Sequence, residues 1–520
     1  RADLVGEDER ALLRAAARVS LTGGRGTLAE QVLRRYRADT GYAPARTEGP
    51  PRDPPPALKA PPGLEFFNGL GGFADGGREY LIALGPGQCT PAPWINVLAN
   101  PSFGCMVSES GGGSAWSLNS RENPLTPWSN DPVSDPPGEA FYLRDEDGGA
   151  LWSPTALPIR VAGAGYLIRH GQGYSRFEHA SHGIHSELLV CVDPADPVKV
   201  SRLTLRNDSG RPRRLAVAAY AEWALGLPRE SAAPHVVTWQ DPDTGALCAA
   251  NPWSAEFGQR VAFADLSGAP LTSWTCSRAE FLGRNGALDA PAGLLIKKPW
   301  GRRAGPALDP CAALLAAVEL APGASAELVF LLGQGANQEE AAALVRQHRP
   351  AAAEALERVR QAWEPMLDTL QISTPDRGLD LLVNRWLPYQ SLSCRVWARA
   401  AFYQAGGAYG FRDQLQDVMA LALLRPELAR AHILRAAERQ FPEGDAQHWW
   451  HPPLGRGVRT HCSDDRVWLP YAVAHYLAVT GDAAVLDEAL PFLVGQPLAP
   501  GQEDAYRTYA LTAALNCGFR

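Results

Sequence analysis

Lysine is scarce in this sequence, and no basic stripe runs along it, so a nucleic-acid partner has no electrostatic footing. Long apolar runs are missing too. None approaches the ~20 residues that a membrane span needs, and no cationic-then-apolar leader is visible at the start. Paired cysteines are absent. The nine cysteines are odd in number and scattered without a CxxC, which points away from a disulfide framework or a zinc site and toward a reducing compartment. His448, His451 and His461 lack the i, i+4 spacing of a helical metalloprotease site. The expectation is therefore no metal and no bound cofactor.

What is present is an ordinary globular composition. Of 520 residues, 46% are apolar and 20% charged, with a net charge of -7. At roughly 100–200 residues per domain, that length holds two to four domains. Residues 1–42 predict two short amphipathic helices, at 9–19 and 27–37, taken as the helical tail of an upstream region. Residues 43–63 are dense in proline and predict a semi-rigid linker. From 64 to 335, short alternating runs such as 198–206, 215–221 and 326–331 are bounded by turn signals, including Asn207-Asp208-Ser209-Gly210 and Asp241-Pro242-Asp243-Thr244-Gly245. That texture predicts a large antiparallel β-sandwich. A helical linker follows at 336–374. Residues 375–520 predict helix pairs at 379–392, 413–424, 426–440, 466–479, 483–492 and 503–516.

Three kinds of segment carry candidate chemistry. Loops such as Glu65-Phe66-Phe67-Asn68-Gly69, Pro91-Ala92-Pro93-Trp94 and Pro127-Trp128-Ser129-Asn130-Asp131 mix rings with amides and carboxylates, as sugar sites do. They could equally knit the sandwich to its neighbour. Gly406, Gly407 and Gly410 allow a sharp loop close to a ligand, and Arg412 and Asp413 then open a helix. A guanidinium and a carboxylate there can bond adjacent sugar hydroxyls, or Asp413 can simply cap the helix. Trp449, Trp450 and Trp468 offer a sugar platform around Ser463-Asp464-Asp465. That acidic run is also an ordinary helix cap.

Several motifs, in order, carry a family resemblance. They are Phe66-Phe67-Asn68-Gly69-Leu70-Gly71-Gly72-Phe73, Asn119-Ser120-Arg121-Glu122-Asn123, Gly171-Gln172-Gly173-Tyr174-Ser175-Arg176-Phe177-Glu178-His179, Gly410-Phe411-Arg412-Asp413-Gln414 and Ser463-Asp464-Asp465. From about residue 64 onward the sequence resembles the carboxy-terminal region of cyclic β-1,2-glucan synthases, in glycoside hydrolase family 94 with the cellobiose and chitobiose phosphorylases. The resemblance implies a multidomain β + α fold: large antiparallel β-sandwich, helical linker, then an (α/α)6 barrel, here truncated to its N-terminal half. It implies inverting attack of inorganic phosphate, as co-substrate, on β-linked glucan, with one aspartic acid protonating the leaving oxygen. Phosphate is already an anionic nucleophile, so the second carboxylate of an inverting hydrolase is not needed. By position, Arg412, Asp413, Gln414 and Asp465 are the implied substrate-binding residues and Arg399 the implied phosphate ligand. Gly406-Gly407-Ala408-Tyr409 stands where cellobiose-type enzymes carry a further arginine, which points to the β-1,2-glucan branch.

The family's general acid ends a Gly-Asp-Trp-Asn-Asp motif downstream of Ser-Asp-Asp and two more helices. No Trp-Asn-Asp occurs in this sequence, so the acid is expected beyond Arg520 and the 520 residues by themselves are expected to be inactive. The remainder of a larger synthase chain is an implied partner, with glucan and a possible homodimer. The implied location is the cytoplasmic side of the bacterial inner membrane. Two other readings stay open: a non-catalytic carbohydrate-binding or scaffolding module, and a free-standing β-1,2-oligoglucan phosphorylase in which Asp464 or Asp465 is the acid.

Overall fold

A computed structural model of the chain describes residues 58–296, 298–513 and 516–517, with positions 6, 9, 10, 13, 21, 23, 24, 26–31, 55 and 56 before them. The two early helices and the proline-rich linker thus lie mostly outside the described residues, although residues 28–31 are helical.

Alternation of buried and exposed side chains makes the strands, and the strands make two facing antiparallel sheets. Among the described residues one sheet has ten strands, running from Gly71–Ala74 at one edge through Ile184–Val192, Val198–Asn207 and Ser325–Gly335 to Val237–Gln240 at the other. The facing sheet has five, centred on Arg213–Glu222 and Pro310–Leu320. The strand Val198–Asn207 shows how one period-2 sequence serves two cores. Leu203 and Leu205 enter the inter-sheet core with Val217, Leu314 and Phe330. Val198 and Val200 point the other way, into a second core with the linker helices Gln338–Ala351 and Ala355–Leu367.

Lys199 shares the inward face with Leu203 and is almost wholly buried. Its ammonium lies 2.8 Å from Glu139 on the opposite sheet, and Thr126 donates to the same carboxylate at 3.1 Å. Burial alone would favour the neutral amine, but Glu139 outweighs it and leaves the Lys199 pKa raised.

The helical part attaches through buried polar side chains. The hydroxyl of Tyr389 donates to Asn96 and to the Val97 carbonyl, both at 2.9 Å, and Ser393 donates to the same carbonyl. Residues 377–398 form one helix with two wide, π-type stretches, Leu382–Trp386 and Ser391–Ala398, on either side of Pro388, which has no N–H to give. Phe411–Leu424, Pro426–Ala437 and Asp465–Thr480 are the other long helices of this part among the described residues.

Two of the expected helices are not there. Ala483–Asp487 is a single 3-10 turn, and among the described residues the short strands Ala489–Leu490, Leu493–Val494, Asp504–Arg507 and Ala510–Leu511 stand where helices 483–492 and 503–516 were expected or between them. The cause is tertiary. Ala489–Leu490 pairs with Asn516–Cys517 and Leu493–Val494 with Ala510–Leu511, so backbone groups that a helix would spend on itself go to strands. Asp504–Arg507 also pairs with Arg456–Thr460.

Removing one partner of a buried ion pair strands the other. Lys199→Met should therefore cost about 3–5 kcal/mol in urea unfolding, and adding Glu139→Gln should recover much of that loss. A single substitution without effect would contradict the pairing.

Candidate functional site

A cleft of about 430 Å³ opens where the sandwich meets the helical part, lined by Arg121, Arg395, Arg399, Gly410, Arg412, Asp413, His448, Trp449 and His451 among others. Its floor is set by Arg399. This residue caps the helix 377–398 in the left-handed region, at φ 49°, and turns its side chain back under the loop. Its guanidinium donates to the carbonyls of Gly407, Val396, Trp397 and Leu118 at 2.9–3.1 Å. Leu118 belongs to the sandwich side, so one buried side chain ties both parts to the loop. The face of the guanidinium lies over the Tyr409 ring, 4.3 Å from its centroid.

That arrangement limits what Arg399 can offer a phosphate. Four of the five guanidinium N–H groups are consumed by carbonyls, leaving Arg399 one donor for any ligand. Arg399 is first a scaffold.

Gly407 is where the loop comes closest to the sandwich. It has φ +63°, and a Cβ there would sit 2.0 Å from Asn119 Oδ1. Asn119 in turn donates to the carbonyls of Gly407 and Pro452, at 3.2 and 2.8 Å. Gly410 opens the helix Phe411–Leu424, and its N–H donates to the Gln414 side chain. Gln414 spends its amide N–H on Arg395 O at 3.3 Å. It is buried, supports the helix entry and belongs to the lining of the cleft, with a second amide N–H left over.

Arg412 and Asp413 are exposed at the mouth, their charged groups 3.6 Å apart. Asp413 is the acidic residue of the first turn of this helix, whose N-cap position is held by Gly410. Arg412 reaches across to Asp464 at 3.0 Å. Asp464 does not cap its helix by side chain either. Its carboxylate accepts from the Cys462 thiol at 2.9 Å and from Trp468 Nε1 at 3.3 Å. The Cys462 thiol first, then Arg412 and Trp468, hold its pKa down at about 2. Asp465 next to it behaves oppositely. It is buried, and burial pushes its carboxyl up, although His448 donates to it at 2.8 Å. Asp465 stands behind His448, which lines the cleft.

The aromatic expectations divide. Trp449 lines the cleft. Trp450 is core, packed near Tyr409, and Trp468 serves Asp464. Trp128 donates to Phe402 O at 3.0 Å, which makes its loop a tie between domains. Phe66 and Phe67 are exposed but lie outside the cleft. Composition reading gave no role to Arg121, which the fold brings from the sandwich to the cleft wall; no local pattern could place it nearly 280 positions from Arg399.

A sandwich and a helical part that share a polar cleft edged by tryptophan, arginine and carboxylate define a carbohydrate-active module. The chain belongs to the glycosyl hydrolase 94 family: residues 78–351 match the Glycosyl hydrolase 94, supersandwich domain, and residues 362–497 the Glycosyl hydrolase 94 superfamily, catalytic domain. It is 42% identical over 97% of its length to the cyclic beta-(1,2)-glucan synthase NdvB of Rhizobium meliloti (strain 1021), of which it covers 18%. It is 26% identical to the N,N'-diacetylchitobiose phosphorylase of Vibrio proteolyticus, over 82% of this chain and 57% of that one. Solabiose phosphorylase of Paenibacillus borealis is 29% identical, over 82% and 54%. The chain thus spans a fifth or less of the synthase and little over half of these phosphorylases. Among the described residues, no helix is long and apolar enough to cross a membrane.

Two outcomes test this geometry. Arg412→Ala should move the Asp464 titration upward from about 2 toward 3.8 by carboxyl NMR. Because that pKa is depressed in the fold, the stabilisation is present above pH ~4 and lost as pH falls through the folded value. An unmoved midpoint would leave Cys462 and Trp468 as the sole cause. Gly407→Ala should cost about 1–3 kcal/mol in thermal or urea unfolding; a neutral result would contradict the close approach.

Proposed function

We propose that this chain is the glucan-binding part of a phosphorylase-type module acting on β-1,2-linked glucan within a larger synthase. There it trims or transfers glycosyl units and so controls chain length. The observation that carries the reading is the Arg412–Asp413 pair, open at the mouth of the cleft beside Trp449. A guanidinium and a carboxylate side by side bond neighbouring hydroxyls of one glucosyl unit, and a ring takes the apolar face of the sugar. The β-1,2 linkage is supported by the 42% identity to the glucan synthase, and the use of phosphate by the phosphorylase relatives.

In the reaction proposed, a phosphate oxygen bonds to the anomeric carbon as the glycosidic C–O bond breaks. The leaving oxygen takes a proton, and the configuration inverts. Arg121 and the remaining N–H of Arg399 face the phosphate across the cleft. A carboxyl titrating near 2 is ionised at neutral pH, so Asp464 does not serve as the acid. Asp413 beside Arg412 serves binding. The proton donor then comes from a part of the larger protein outside these 520 residues, and the module works on the cytoplasmic face of the inner membrane with that protein. A second reading draws on the raised pKa of Asp465 and its link through His448 to the cleft: Asp465 itself is the donor, relayed by the imidazole.

Calorimetry with β-1,2-linked gluco-oligosaccharides should show binding that Arg412→Ala and Asp413→Asn each weaken about ten- to a hundredfold, the worth of one charged hydrogen bond. Binding indifferent to both substitutions would sink the assignment. With phosphate and β-1,2-glucan, the 520 residues should release no glucose 1-phosphate. Release that disappears in Asp465→Asn would establish the second reading.

A further inference from the structure

A second ligand site lies behind the cleft wall. His448 on the strand Gln447–His451, Cys462 after the strand Arg456–Thr460, and Asp465 at the start of the helix Asp465–Thr480 each offer a ligand atom, and these atoms lie within 4.8 Å of one another. We propose that His448, Cys462 and Asp465 bind a borderline-soft divalent cation of the zinc class.

The donor set is the first argument. One imidazole nitrogen, one sulfur and one carboxylate oxygen form a three-ligand set that suits zinc and its neighbours rather than magnesium or calcium, which take oxygen alone. The second argument is an unmet need. Asp465 Oδ1 is buried and accepts no hydrogen bond, while Oδ2 takes His448 at 2.8 Å. A buried carboxylate oxygen without a donor is costly, and a cation satisfies it. Charge is the third. Asp464 lies 2.9 Å from the Cys462 sulfur, so two carboxylates surround the thiol. Arg412 neutralises Asp464 from the cleft side but makes no ion pair with Asp465.

A similar cluster, Asp193, Asp196 and His348, differs in this respect, because Arg358 already stands 3.3 Å from Asp193 and occupies the place of a cation. At the His448 site, binding releases the thiol proton to solvent; ligation through Nδ1 replaces its hydrogen bond to Asp465 by the ion, and the neutral imidazole carries its proton on Nε2. Histidine spacing alone gave no hint of this, because the sulfur and the carboxylate come from other elements.

The test is a Co2+ titration of the purified chain under reducing conditions, followed by the near-ultraviolet thiolate-to-cobalt absorption. We expect one Co2+ per chain, displaced by Zn2+, with affinity reduced about tenfold or more by Cys462→Ser or His448→Gln. No such absorption, or the same titration in Cys462→Ser, overturns the site and assigns any signal to other thiols, such as the exposed Cys89. A measurement that needs no substitution is iodoacetamide labelling of Cys462 read by mass spectrometry. Zn2+ should protect it, and equal labelling with and without Zn2+ overturns the proposal.

Discussion

The cleft depends on a single buried guanidinium. Arg399 is placed in water-poor surroundings where its charge must be met, and the groups that meet it are four backbone carbonyls from three stretches of chain. Hydrogen bonds to a charged group are each worth about 1.5–3 kcal/mol, so the arrangement is hard to give up once made. It fixes where the helix 377–398 ends, where the glycine loop runs, and how the sandwich edge at Leu118 meets both. Tyr409 between Arg399 and Arg435, the latter 5.0 Å from the ring centroid, extends the same device. The left-handed backbone at Arg399 is a local strain held by these bonds.

From that floor follows the division of labour among the acidic side chains at the mouth. Asp413 and Asp464 stand beside Arg412 toward the solvent, and the Cys462 thiol, then Arg412, hold the Asp464 carboxyl below its usual range. Asp465, one residue on, is turned inward, where the charged form is disfavoured and a histidine must support it. Asp464 and Asp465, neighbours at one helix start, are thus shifted in opposite directions by depth and partners. Exposed charges are suited to gripping a polar ligand; the buried one is suited to holding a histidine or a cation.

The sandwich was readable in the sequence because its signal is local. The alternating runs at 198–206, 215–221 and 326–331 are core strands, and the Asn207–Gly210 and Asp241–Gly245 turns join strands where their glycine and aspartate chemistry placed them. Arg412 and Asp413 were legible because a glycine-rich loop followed by an amphipathic helix marks its own entry. What could not be read depends on distant partners. The stretches 483–492 and 503–516 have helical composition, yet their backbone groups pair with strands distant in sequence, Ala489–Leu490 with Asn516–Cys517 and Asp504–Arg507 with Arg456–Thr460. The resemblance implied a phosphate ligand at Arg399, and nothing in its own neighbourhood showed that Leu118 and Gly407 would surround it. Trp450 and Trp449 are adjacent and alike in sequence, and strand alternation alone sends one to the core and the other to the cleft.

The most direct measurement of the central claim is a crystal structure of the chain soaked with a β-1,2-linked glucose disaccharide. The account predicts one glucosyl ring in the cleft, its hydroxyls on Arg412 and Asp413 and its face toward Trp449, with Arg399 still bound to its carbonyls beneath. A disaccharide seated elsewhere, for instance on the exposed Phe66 and Phe67, with the cleft empty, would contradict it.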